Sequence, residues 1–154
     1  MARKCRNLVA EIRTMLSDSL SPEAPRQVET LMAETLSSVR SLLGMEVAFV
    51  SEFSEGRRVF RFIDAAREFQ PIEVDGSDPL NESYCQRVID GRLTELIRDA
   101  TRNAEALSLS ATLGIPIGAH LSVPIRFSSG HVFGTFCCLA GTPIRRWASA
   151  TSAP

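Results

Sequence analysis

Hydrophobic positions change period along the chain, and each change marks an element. Leu8, Ile12, Met15 and Leu16 recur at helical spacing, which predicts a short amphipathic helix over residues 5–18. The SPEAP segment at 21–25 interrupts it, with Ser21 placed to cap the next helix and Pro22 at its first position. A longer helix over 26–43 follows, striped by Val28, Leu31, Met32, Thr35, Leu36, Val39, Leu42 and Leu43. Gly44 suits its C-terminal cap.

From Met45 the period falls to two. MEVAFVSEF and RRVFRFIDA, joined by SEG at 54–56, predict a β-hairpin. A short extended segment near Pro71–Val74 precedes a Gly/Ser/Asp/Pro loop. Residues 79–90 return to helical spacing, with Asp78 as N-cap, Pro79 at the first position and Gly91 at the end. Leu93–Ile97 reads as a short strand, and Asn103–Leu113 as a small helix stopped by Gly114. Strands at 117–127 and 131–140 flank the SSG turn. The order α-α-β-β-β-α-β-α-β-β, with a hairpin at each end, predicts an α+β domain on a mainly antiparallel sheet.

Composition narrows the function classes. Hydrophobic residues make up 44% and charged residues 23% of 154, which fits one folded domain with a core. The formal net charge of −1 supplies no basic field for nucleic acid, so none is expected as a partner. The longest apolar runs are too short for a bilayer, and the basic start MARKCRNLVAEIRTML lacks a signal-peptide core. A cytoplasmic protein without membrane attachment is expected.

Cys5, Cys85, Cys137 and Cys138 form no CxxC pair and no zinc-type spacing with histidine, so no metal is expected. Neighbouring strand residues face opposite sides, which separates Cys137 from Cys138 and assigns both to core packing. Cys85 falls on a helix with no basic neighbour in sequence, and burial is again the expectation. In IPIGAHLSVPIRF, His120 and Ser122 share a face with Gly118, Pro124 and Arg126. If helices cover both sides of the sheet, that face is a covered polar space open to a small ligand. Otherwise His120 reads as an exposed position or one tied to a backbone hydrogen bond. Nothing matches a nucleophile elbow, a phosphate loop or a dinucleotide fingerprint, so no catalysis is expected.

The series LGMEVAFVSEF, VFRFIDA, SYCQRVIDGR, TLGIPIGAHLSVPIRF and GHVFGTFCCLA resembles a bacterial GAF domain over roughly residues 26–140. More narrowly, it resembles the GAF modules of cyclic-di-GMP phosphodiesterases, diguanylate cyclases and sensor kinases. The resemblance implies a profilin-like, PAS-related antiparallel sheet of about six strands with helices on both faces. It divides the chain into an N-terminal helical segment and linker (1–25), the GAF-like domain (26–140) and an irregular tail (141–154) in which a C-terminal helix is short or missing.

The function so implied is a non-catalytic sensory or regulatory module in bacterial signal transduction. It binds a small ligand, dimerises, or modulates a partner in trans or a lost output domain. Phe62, Tyr84, Cys85, Asp99, His120 and Ser122 are the pocket candidates, with no cofactor named. Val28, Met32, Leu36, Val39 and Leu43 are the candidates for a dimerising or signalling helix. The alternatives are haem or redox sensing through His120 or Cys85 and, further off, a free methionine sulfoxide reductase. Cys85 is followed by Gln86, where bilin-bearing GAF domains often have histidine, and the Asn-Lys-Phe-Asp-Glu signature of cyclic-nucleotide binders is absent.

Overall fold

A computed structural model of the chain describes residues 24–67, 72–109 and 116–145. The helix expected at 5–18, its Ser21 cap, and the tail beyond residue 145 lie outside these residues.

Helix α1 (Ala24–Leu43) ends in a Schellman turn. Met45 N–H donates to the Arg40 carbonyl at 3.0 Å and Gly44 N–H to that of Ser41 at 3.2 Å. Gly44 has φ +64°, a conformation that glycine adopts without strain. Strands β1 (Val47–Ser54) and β2 (Arg57–Ala65) follow as the expected hairpin. Glu55 and Gly56 at its tip both have positive φ, as a type I′ turn requires. Strand β3 (Ser77–Pro79), helix α2 (Tyr84–Ile89), strand β4 (Leu96–Ile97), helix α3 (Ala104–Leu107), and strands β5 (Ala119–Arg126) and β6 (Val132–Ala140) complete the described elements.

The strands form one six-stranded sheet in the order β3-β2-β1-β6-β5-β4, with every pairing antiparallel. Two apolar layers sandwich it. On one face α1 packs Met32 and Leu36 onto Ala48, Val50, Ala119, Phe136 and Cys138. On the other, α2, α3 and their loops pack Tyr84, Cys85, Val88, Ala106 and Leu109 onto Val47, Phe49, Phe60 and Cys137. Cys137 and Cys138 thus fall on opposite faces, as strand alternation dictates.

Four local expectations need correction. The third strand lies at 77–79, in the stretch expected as a loop, while Ile72–Val74 is irregular. Asp78 caps no helix. Residues 80–82 form a separate 3-10 turn, and the N-cap of α2 is Ser83, whose hydroxyl accepts from Gln86 N–H at 3.1 Å. The strand expected at 93–97 keeps only two residues. The helix expected at 103–113 runs as α only from Ala104 to Leu107, capped by Asn103, and residues 110–113 lie outside the described residues.

The stripe Val28, Met32, Leu36, Val39 and Leu43 faces the sheet. Met32 and Leu36 are buried against the sheet and the other three pack beside them. Ile144 packs at the margin of the same layer.

Candidate functional site

Beneath α2 the sheet carries a cluster of polar and sulfur-bearing side chains that are sealed from solvent. Alternation on three strands directs Ser51 of β1, Arg58 of β2 and Thr135 and Cys137 of β6 to this side, together with His120 and Ser122 of β5. Cys85 enters from the first turn of α2. The exposures of Ser51, Cys85, His120, Ser122, Thr135 and Cys137 are all 0%, and that of Arg58 is 1%.

Arg58 organises one end. Its guanidinium lies over the rings of Phe60 and Phe49, 5.0 and 5.5 Å from their centroids. Nε donates to one oxygen of Asp78 at 2.9 Å and Nη2 to the other, a two-pronged ion pair. Nη1 donates to the sulfur of Cys85 at 3.1 Å. Burial works against the guanidinium's charge, but the Cys85 sulfur and the Asp78 carboxylate outweigh it and hold Arg58 firmly protonated.

Cys85 Sγ lies 3.3 Å from Cys137 Sγ and accepts from the Thr135 hydroxyl at 3.1 Å. The oxygens of Thr135 and Ser122 stand 3.3 and 3.4 Å from Cys137 Sγ, and Ser51 joins Thr135 at 3.0 Å. Burial disfavours a thiolate at Cys85, yet the hydrogen bond with Cys137, the Arg58 charge and nearby His120 bring its pKa well below that of an ordinary thiol. Burial, then the bond and charge of Cys85, push Cys137 the opposite way and keep it a thiol.

His120 completes the cluster. Its ring packs against Tyr84 at 4.7 Å between centroids, and neither ring nitrogen has a hydrogen-bond partner. One donor atom each from Cys85, His120 and Cys137 lie within 4.8 Å of one another. Burial lowers the pKa of His120, outweighing the opposite pull of the neighbouring Cys85 sulfur. The exposed or backbone-bonded histidine that the sequence also allowed is absent.

The structure brings together four of the six pocket candidates: Tyr84, Cys85, His120 and Ser122. Phe62 lies on the opposite face, beside the α1 layer. A β-bulge is the cause: Val50 pairs with Phe62 but Ser51 with Phe60, so the alternation inverts at Arg61. Asp99 caps the 3-10 turn at Ala100–Arg102, accepting from Thr101 N–H at 3.1 Å, and stands outside the cluster. Ser51, Arg58 and Thr135 are the members that sequence reasoning passed over, while Asp78 and Cys137 were assigned to a helix cap and to core packing. An arginine flanked by Arg57 and Val59 in an alternating strand carries the one available signal, since alternation turns Arg58 inward with Phe60.

The GAF domain model matches residues 27–152. The chain belongs to the GAF domain family. Solved GAF structures share the fold of this domain at low identity. The blue-light absorbing form of the Thermosynechococcus elongatus PixJ GAF domain superposes with a TM-score of 0.60 at 16% identity, covering 85% of this chain and 79% of that one. The GAF domain of Acinetobacter phosphoenolpyruvate-protein phosphotransferase gives 0.58 at 14%, over 90% and 77%. The type II free methionine-R-sulfoxide reductase of Thermoplasma acidophilum gives 0.56 at 11%, over 75% of each chain. No curated protein sequence matches this GAF domain. Among its described residues no helix is long and apolar enough to cross a membrane.

Proposed function

We propose that this GAF domain is a sensory module without catalytic turnover, acting in the bacterial cytoplasm, whose signal enters at the Cys85–Cys137–His120 centre. The observation that carries this reading is the complete burial of every candidate reactive group in that centre. A site that turns over an organic substrate needs a cleft that admits it. A sealed centre suits a small ligand that enters by local opening and shifts a conformational balance. Cys137 lines the centre while its neighbour Cys138 packs under α1, so a displacement of β6 reaches the opposite helix within one residue. The likeness of the GAHLSVPIR and GTFCCLA strands to GAF modules of cyclic-di-GMP enzymes and sensor kinases favours an output of that class.

Incubation with free methionine sulfoxide and a dithiol reductant tests the reading. No methionine is expected to form. Saturable formation that Cys85→Ala abolishes would overturn it.

The 3.3 Å contact of the two sulfurs favours one second reading, a thiol redox sensor. A hydroperoxide would take two electrons and two protons from the pair, leaving a Cys85–Cys137 disulfide, an alcohol and water. Haem ligation through His120 gains no such support, because Tyr84 packs on the ring and the imidazole is wholly enclosed.

A further inference from the structure

We propose that Cys85, Cys137 and His120 bind one thiophilic divalent metal ion of the zinc type, held deep between α2 and the sheet. The proposal names the ligand class of the sensory centre and rests on that reading for its consequence, whereas the binding itself is tested separately.

Three observations carry it. The first is the donor set. Two sulfurs and one imidazole nitrogen converge within 4.8 Å from α2, β5 and β6. Soft and borderline donors of this kind select zinc and its chemical relatives over magnesium or calcium.

The second is His120. A fully buried imidazole with both nitrogens unpartnered leaves the desolvation cost of those polar atoms uncompensated. Serine and threonine hydroxyls satisfy the neighbouring sulfurs but none satisfies His120. A metal ion between the ring and the sulfurs supplies a partner for one of the two nitrogens.

The third is charge. Arg58 and Asp78 cancel as an ion pair. Two cysteine thiolates and one divalent cation cancel as well, so the loaded centre is neutral in a region that water does not screen.

The geometry needs little adjustment. Sulfurs bound to zinc at about 2.3 Å in a tetrahedron stand about 3.8 Å apart. The pair at 3.3 Å would open by roughly half an ångström to take up the ion. The Arg58 guanidinium and the Thr135 hydroxyl already donate to the Cys85 sulfur, as outer partners of metal-bound thiolates do, and the Ser122 hydroxyl, which now accepts from Cys137, can turn to donate once that thiol loses its proton. Three protein ligands leave one coordination position for an exogenous group, the arrangement of an open rather than a closed structural site.

Titration of the reduced full-length chain with cobalt(II) under argon tests the site. One equivalent per chain is expected, with a sulfur-to-cobalt charge-transfer band and the intense visible bands of tetrahedral cobalt. Zinc should abolish both. Cys137→Ser and His120→Gln should each weaken binding by more than about 100-fold, since even outer partners of metal ligands are worth up to that much. Cys5→Ser, Cys138→Ala and His131→Ala should retain it. Far-UV circular dichroism identifies folded variants, and Cys137→Ser, the smallest change, is the primary one. A folded, reduced wild-type chain without the charge-transfer band overturns the proposal. So does a band that survives both Cys137→Ser and His120→Gln. If cobalt fails to bind and methionine sulfoxide is not turned over, the metal site falls and the sensory reading stands. If cobalt binds and the sulfoxide is turned over, the reverse holds.

Discussion

Arg58 of β2 donates through Nη1 to the sulfur of Cys85 on α2 at 3.1 Å, so a buried cation and a buried thiol sit in direct contact. This contact joins the sheet to the helix that covers it. It also contributes to the difference between the two cysteines: burial raises the pKa of both, but the Cys137 hydrogen bond and then the Arg58 charge draw that of Cys85 down, while Cys137 is pushed up.

The arginine depends on Asp78. Replacing Asp78 with asparagine leaves the guanidinium buried with its main counter-charge gone, and breaking such a pair costs about 3–5 kcal/mol. Arg57→Ala, one residue away, removes only exposed hydrogen bonds to Ser77 and should stay within about 0.5 kcal/mol of wild type. Urea unfolding followed by circular dichroism separates the two. Equal midpoints would contradict the assignment of Asp78.

Helix α1 is expected to behave as a core element. Leu36→Ala removes a side chain with no exposure and should destabilise by about 2–5 kcal/mol. Leu42→Ala, at 73% exposure, should change stability by less than about 0.5 kcal/mol. Guanidinium unfolding at two protein concentrations checks both the sizes and their independence of self-association.

Two glycines should fail for different reasons. A Cβ at Gly134 would fall 1.8 Å from the Ser51 carbonyl oxygen, where β6 crosses β1 at the centre of the sheet. Gly134→Ala must move a strand, with a cost of at least about 1–3 kcal/mol. Gly44→Ala meets nothing within 4 Å and carries only the left-handed backbone penalty, about 1–2 kcal/mol. Thermal midpoints should fall further for Gly134→Ala. The opposite ranking would mean that β1 yields easily.

The thiols should resist modification in the native state. Cys85, Cys137 and Cys138 are wholly buried, so alkylation requires an opening event. An opening free energy of ~4 kcal/mol slows labelling on the order of 1,000-fold relative to the unfolded chain. Mass spectrometry of iodoacetamide adducts with and without urea measures the ratio. Rapid native labelling at Cys85 would show a direct path to the centre.

Much of the architecture was legible in the residue pattern, because periodicity reports a local property. The 3.6-residue stripe from Val28 to Leu43 and the two hairpins are visible without any partner. Strand alternation alone separates Cys137 from Cys138 and places His120 beside Ser122 on a covered face. Asp78 misled because an aspartate before a proline has the local look of a helix cap, while its role is set by a strand pairing 20 residues distant in sequence. Phe62 misled because a single bulge inverts every face beyond it, and no residue type announces that bulge.

By itself the sequence determined the order of elements, the α+β class, the family resemblance and the inward direction of the strand residues. Only the tertiary structure decided which of those residues meet. Cys85 comes from α2, His120 from β5, Cys137 from β6 and Arg58 from β2, and their approach depends on the β3-β2-β1-β6-β5-β4 order and its registers. Periodicity fixes the face of one element. A site shared by four elements is fixed by long-range pairing, which no local pattern records.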